Sequence, residues 1–117
     1  MRLTKLELLK RTKEVLKRHG WISGDLARRR RLTTEPEWYF SVPCPPDDDK
    51  ACAFCMVGAA MRAQSEARDA RQDVEFVSKQ LGFNGYEEAW RFNDGGDRRR
   101  VMNYLNRQIR KLEGRKP

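Results

Sequence analysis

The stretch that most constrains this chain runs Cys44-Pro-Pro-Asp-Asp-Asp-Lys-Ala-Cys52-Ala-Phe-Cys55-Met-Val-Gly58-Ala-Ala-Met-Arg-Ala63. Pro43, Pro45 and Pro46 fix the backbone and exclude helix there. The acids that follow favour a helix start at Asp48 or Asp49, through capping and the positive end of the helix dipole. From Cys52 onward, Cys52, Cys55, Met56, Ala59, Ala60 and Ala63 share one helical face, and Gly58 to Ala60 leave room for another backbone. The expectation is a central helix against which the rest of the chain is laid.

The remaining elements follow from periodicity and punctuation. Thr4-Lys-Leu-Glu7 is a capping-box pattern. It opens a helix with Leu8, Leu9, Thr12, Val15, Leu16 and His19 along one stripe. Gly20 reads as a left-handed C-cap, with Trp21 packing back onto Leu16. Ser23-Gly24-Asp25 begins a second segment, at most a helical turn, running into Arg28–Arg31. Glu37 to Val42 has strand character without an evident partner, so residues 37–42 read as an extended segment laid on helices. Between Ala59 and Leu81 a break near Ser65–Asp69 is favoured, with Asp69 as a fresh N-cap before a helix that Gly82 ends. Tyr86 to Phe92 is a short helix, and Asn93-Asp94-Gly95-Gly96 a loop. Asp97 caps a last helix that carries Val101, Leu105, Ile109 and Leu112 and closes at Gly114. The fold class expected is all-α, a compact bundle of four to five helices, with residues 1–114 as one domain and 115–117 as a basic tail.

Charge is segregated along the chain. Residues 1–31 carry eleven Lys and Arg against three acids, residues 98–117 eight against one, and residues 32–97 six against thirteen. Internal complementarity between basic ends and an acidic middle accounts for this, and so does a basic surface for an anionic partner. No apolar run approaches the ~18 residues of a membrane span, and Met1 is not followed by a signal-peptide apolar region. An odd cysteine count of three suits reduced thiols or a metal better than a disulfide framework, so a cytoplasmic setting is expected.

Three motifs carry a resemblance. His19-Gly20-Trp21 closing a first helix, Cys55-x-x-Gly58-Ala59 opening a central one and Asn93-Asp94 before a final amphipathic helix look like a small uncharacterised family of actinobacterial and phage proteins. In that family a tryptophan usually precedes the Asn-Asp pair, where this chain has Phe92, and Cys44 and Cys52 stand outside the pattern. The resemblance implies a helical fold and a phage or bacterial setting. It implies no activity.

Four chemistries are open to these residues. Cys55 at a helix start, His19 and Asn93 or Asp94 supply the types of a Cys-His-Asn/Asp catalytic constellation. Set against that, Asp47, Asp48 and Asp49 disfavour a thiolate, and Cys55 suits a tight helix contact. Cys44, Cys52, Cys55 and His19 would form a Cys₃His zinc set, although the usual zinc pattern has two paired motifs and here only Cys52-x-x-Cys55 is paired. Arg28, Arg29, Arg30, Arg31, Arg98 and Arg99, with Lys10, Lys13 and Lys17, would meet phosphates, and Trp38, Tyr39 or Trp90 would stack on bases. The same aromatic and arginine residues have the composition favoured at protein interfaces. The reading preferred is a small interaction module that binds a protein partner without a cofactor or chemistry of its own, phage-encoded and host-directed by analogy. Nucleic-acid binding and thiol catalysis are the alternatives.

Overall fold

The computed structural model describes residues 2–30 and 41–114, the side chains of Arg30 and Ser41 excepted. Its elements run α1 (Lys5–Arg18), β1 (Gly20–Trp21), β2 (Ala27–Arg30), β3 (Ser41–Pro43), β4 (Ala51–Phe54), α2 (Met56–Glu66), α3 (Val74–Gln80), α4 (Tyr86–Asp94) and α5 (Arg98–Glu113). The all-α expectation is overturned: a four-stranded mixed sheet joins the helices, giving an α/β fold.

The sheet order is β1-β4-β2-β3. β1 runs parallel to β4 with Gly20 opposite Ala53, and β2 is antiparallel to both β4 and β3. The register skips Cys52 between the Arg28–Ala53 and Arg29–Ala51 pairs, so β4 carries a bulge there. Pro43 is tolerated because β3 is an edge strand, where a missing N–H costs no ladder bond.

Two readings fail for the same reason. Gly20 is not a left-handed cap but the first residue of β1, because pairing with Ala53 extends the chain straight after the His19 C-cap. The central helix does not start at Asp48 or Asp49. There the Asp48 carboxylate accepts the Lys50 N–H at 2.9 Å in a local turn, and residues 51–54 become a strand. Cys52 is therefore an exposed strand residue rather than part of a helical face. Arg28 to Arg30 likewise lie in β2, not in a helical turn. Of the extended segment expected at 37–42, residues 41 and 42 are in β3 and the rest lie outside the described residues, as do residues 115–117.

The helices follow the sequence more closely. The Thr4–Glu7 capping box is present in both directions, and α1 buries Leu8, Leu9, Thr12, Val15 and Leu16. The break between α2 and α3 is real. Asp73 caps α3, while Asp69 instead accepts the Leu3 N–H at 3.0 Å and three N–H groups of Arg71, tying the start of the chain to this connection.

α2 is the hub, with Met56 to Met61, Ala63 and Gln64 all buried and α1, α3 and α4 packed against it. α5 packs on α1. A Cβ at Gly58 would lie 1.7 Å from the Leu26 carbonyl oxygen, so the first turn of α2 touches backbone that only glycine admits. Gly82, at φ +106°, turns the chain out of α3 beside Tyr104, whose hydroxyl donates to the Leu81 carbonyl at 2.7 Å. Phe92 stacks in this corner with Phe83 and Tyr104, at ring-centroid distances of 5.6 and 5.0 Å.

Candidate functional site

β1, the loop after it, the start of α2 and the end of α4 meet at one buried side chain. Asn93 accepts the Trp21 indole N–H at 2.8 Å and the Met56 backbone N–H at 3.0 Å through Oδ1. Its Nδ2 donates to the Ile22 carbonyl and to Asp94 Oδ1, both at 3.1 Å. Asn93 thus closes the helix start, the strand end and α4 together, and its amide has no capacity left over for a ligand. Asp94 Oδ1 also accepts the Gly24 N–H at 3.1 Å. Beside Asp94 opens a cleft of about 300 Å³ lined by Gly24, Asp25, Cys55, Tyr86, Trp90 and Asp94.

Cys55 sits at the N-cap of α2 with its Sγ accepting the Gly58 N–H at 3.3 Å. Burial pushes its thiol up to about 11, and the charge of Asp94 adds to this. At neutral pH the sulfur is a protonated capping atom, the wrong form for a nucleophile. His19 caps the end of α1 and stands edge-on to Phe54 at 5.5 Å. Burial and then the charges of Arg18 and Arg62 lower its pKa. The charged neighbours of His19 are Arg18, Arg62 and Glu66, whereas that of Cys55 is Asp94. The geometry brings Cys55, Asn93 and Asp94 together as packing, capping and hydrogen-bonding groups.

The zinc set is not assembled. Among the described residues, no group of three or more His, Cys, Asp or Glu side chains is placed to hold a metal. Cys55 is buried, Cys52 exposed, and Cys44 partly buried with its thiol raised by burial and by Asp48.

Of the arginine run, the two described side chains have acidic partners. Arg28 pairs with Asp25, and Arg29 Nε lies 3.7 Å from Asp48. The side chain of Arg30, and Arg31, Trp38 and Tyr39 altogether, lie outside the described residues. Arg98 donates to the Leu16 carbonyl at 3.0 Å, a contact between helices, and Arg99 is exposed. Trp90, 39% exposed, is the one large apolar side chain left open among the described residues.

The lining of the cleft was only partly visible in sequence. Trp90, Cys55 and Asp94 were candidates, but Gly24, Asp25 and Tyr86 had no signal of shared location. Tyr86 now stands near Cys55 and Asp94, with its pKa raised by burial and then by those two groups.

Comparison with known proteins adds one finding. Residues 1–111 match the model of a family of unknown function (DUF6197). The chain belongs to that family. The match covers every element described, α5 up to Lys111 included. No curated protein and no solved structure matches the chain.

Proposed function

We infer that this DUF6197 chain is a small binding module whose cleft at Trp90 takes a cationic side chain, Arg or Lys, from a protein partner. The observation that carries this is the pairing of an exposed indole with a carboxylate at one opening: Trp90 and Tyr86 beside Asp94, while Asp25 in the same lining is held by Arg28. A guanidinium or ammonium gains from the faces of aromatic rings and from a carboxylate together, about 1 kcal/mol for the ring contribution at an exposed site. Both hydrogen bonds given to Asp94 within the chain reach Oδ1, so Oδ2 remains as acceptor among the described residues.

The surroundings favour the same sign of charge. An adjoining hollow of about 550 Å³ shares Tyr86 and is lined by Glu75, Glu87 and Glu88 together with Arg91. Arg91 pairs with Glu87 and lies 5.7 Å from the Trp90 ring centroid, a contact an incoming cation would exchange with. Exposed Trp beside a small pocket is also the usual anchor of a protein interface. A host protein with an exposed Arg or Lys is the partner that fits a phage-encoded, host-directed role.

The test is an NMR titration of the whole chain with N-acetyl-arginine amide and N-acetyl-lysine amide, and with N-acetyl-glutamate amide as the opposite charge. The cationic probes are expected to shift the Trp90 indole N–H and the amides of Gly24, Asp25 and Asp94. Trp90→Ala and Asp94→Asn should each weaken that binding several-fold. Equal shifts from the glutamate probe, or unchanged binding in Trp90→Ala, overturn the reading.

A further inference from the structure

A second surface lies on other elements. α1 and α5 together hold twelve Lys and Arg against three Glu, a net +9, while the whole chain is +8. The excess charge of the protein is thus carried by these two helices, and everything else is close to neutral. They run antiparallel: Arg98 Nη2 at the start of α5 donates to the Leu16 carbonyl near the end of α1 at 3.0 Å, and Glu113 at the end of α5 pairs with Lys10 in the middle of α1 at 3.0 Å.

Their apolar faces are occupied: Leu8, Leu9, Val15 and Leu16 on α1, and Val101, Leu105 and Ile109 on α5, are buried in the core. What faces outward is polar and periodic. Lys10, Lys13 and Lys17 recur at steps of three and four along α1, and Arg99, Asn103, Asn106 and Arg110 at steps of four, three and four along α5. Lys13 and Asn106 are half-buried and the other five exposed. The α5 row begins one position around the helix from Arg98 and Ile109, the residues that meet α1. Ile109 in turn shares a groove of about 420 Å³ with Lys10 and Lys13. Two rows of donors therefore lie on adjoining helices, and axes of packed helices stand roughly 8–10 Å apart.

We propose that the paired outer faces of α1 and α5 bind the sugar-phosphate backbone of double-stranded DNA without reading its sequence. Two parallel cationic rows match two phosphate strands bordering a groove about 12 Å wide in B-form DNA, whereas the A-form major groove of RNA is too narrow. The rows carry no aromatic side chain, which a single-strand site would need for base stacking. They also have no free apolar face to enter a bilayer. Lys10 and Lys17 sit with Glu113 and Glu14, exposed pairs that are easily exchanged for phosphate. Lys13, Arg99 and Arg110 make no ion pair with an acid among the described residues.

The experiment measures anisotropy of a labelled random-sequence 24-base-pair duplex with the full chain between 50 and 200 mM salt. Binding should weaken steeply with salt, and the combined variant Lys13→Gln, Arg99→Gln, Arg110→Gln should flatten the log–log slope by about 3 while lowering affinity at 50 mM at least tenfold. Arg91→Gln, on α4 and paired with Glu87, should leave the slope unchanged. Circular dichroism melts of each variant confirm that fold is retained. Trp90→Ala should bind the duplex as the parent does, which separates this surface from the cleft. No duplex binding at 50 mM salt, a slope the triple variant leaves intact, or tighter binding to an RNA duplex or to phosphatidylserine vesicles than to DNA would each overturn the proposal.

Discussion

The indole nitrogen of Trp21 donates to Oδ1 of Asn93 at 2.8 Å, across 72 residues of chain. This bond joins the first strand to the last turn of α4, and the same oxygen caps the Met56 N–H at the start of α2. One amide thereby fixes the angle at which sheet, hub helix and α4 meet, and with it the floor of the cleft.

Asn93→Ala leaves the Met56 and Trp21 donors and the Ile22 carbonyl without their partner in the interior. The expected loss is about 3–4 kcal/mol in urea unfolding. Trp21→Phe removes one donor and keeps the ring, so about 1 kcal/mol is expected. An Asn93→Ala cost below that of Trp21→Phe would show that the amide does not organise the junction.

Gly58→Ala drives a methyl into the Leu26 carbonyl, which also accepts the Cys55 N–H at 3.2 Å. The backbone cannot yield without breaking that bond, and a loss of about 3 kcal/mol or more is expected. Gly24→Ala meets no atom within 4 Å and pays only for its φ of +90°, about 1 kcal/mol. Thermal melts of the two variants side by side should keep that order.

Thiol reactivity should rank by exposure and pKa. At pH 7.5 a chromogenic disulfide reagent should label Cys52 first, Cys44 more slowly and Cys55 only on unfolding. Cys55→Ser keeps an N-cap acceptor and should stay within about 1 kcal/mol of the parent. Rapid labelling of Cys55 in a Cys44→Ala, Cys52→Ala background would restore the case for a reactive thiol.

Asp69 makes stability depend on acid. Its hydrogen bonds from Arg71 hold the carboxyl well below the usual carboxylate range, with the Leu3 N–H adding to the effect. A depressed folded-state pKa means the stabilisation is complete above the unfolded value of about 3.9, and is lost as pH falls from there toward the folded value. Asp69→Asn should therefore cost about 2 kcal/mol at pH 7 and progressively less below pH 4. A difference between parent and variant that stays constant from pH 7 to pH 2 would contradict this.

Local chemistry was enough to place α1, α5 and the break between α2 and α3, but not the start of α2 or the end of α4. The Thr4–Glu7 box, the 3.6-residue apolar stripes of α1 and α5, the Asp97 cap and the weak stretch after Ser65 are signals within a few residues of what they cause. Gly58 too was legible as a close approach, although not its partner Leu26.

The sheet was decided only in three dimensions. Strands of two to four residues are too short to show an alternation. Their stability comes from partners such as Ala53 for Gly20 and Pro43 for Arg28, distant or separated by a loop. Arg29 looked like part of a solvated run because nothing local announces that Asp48 will face it. Asn93 and Asp94 belonged to a loop in sequence, yet they complete α4, because the hydrogen bonds that hold them come from Trp21, Ile22, Gly24 and Met56. Helices bond to themselves and so can be read from their own residues; a strand or a buried amide is satisfied by distant groups, and only the folded chain supplies those.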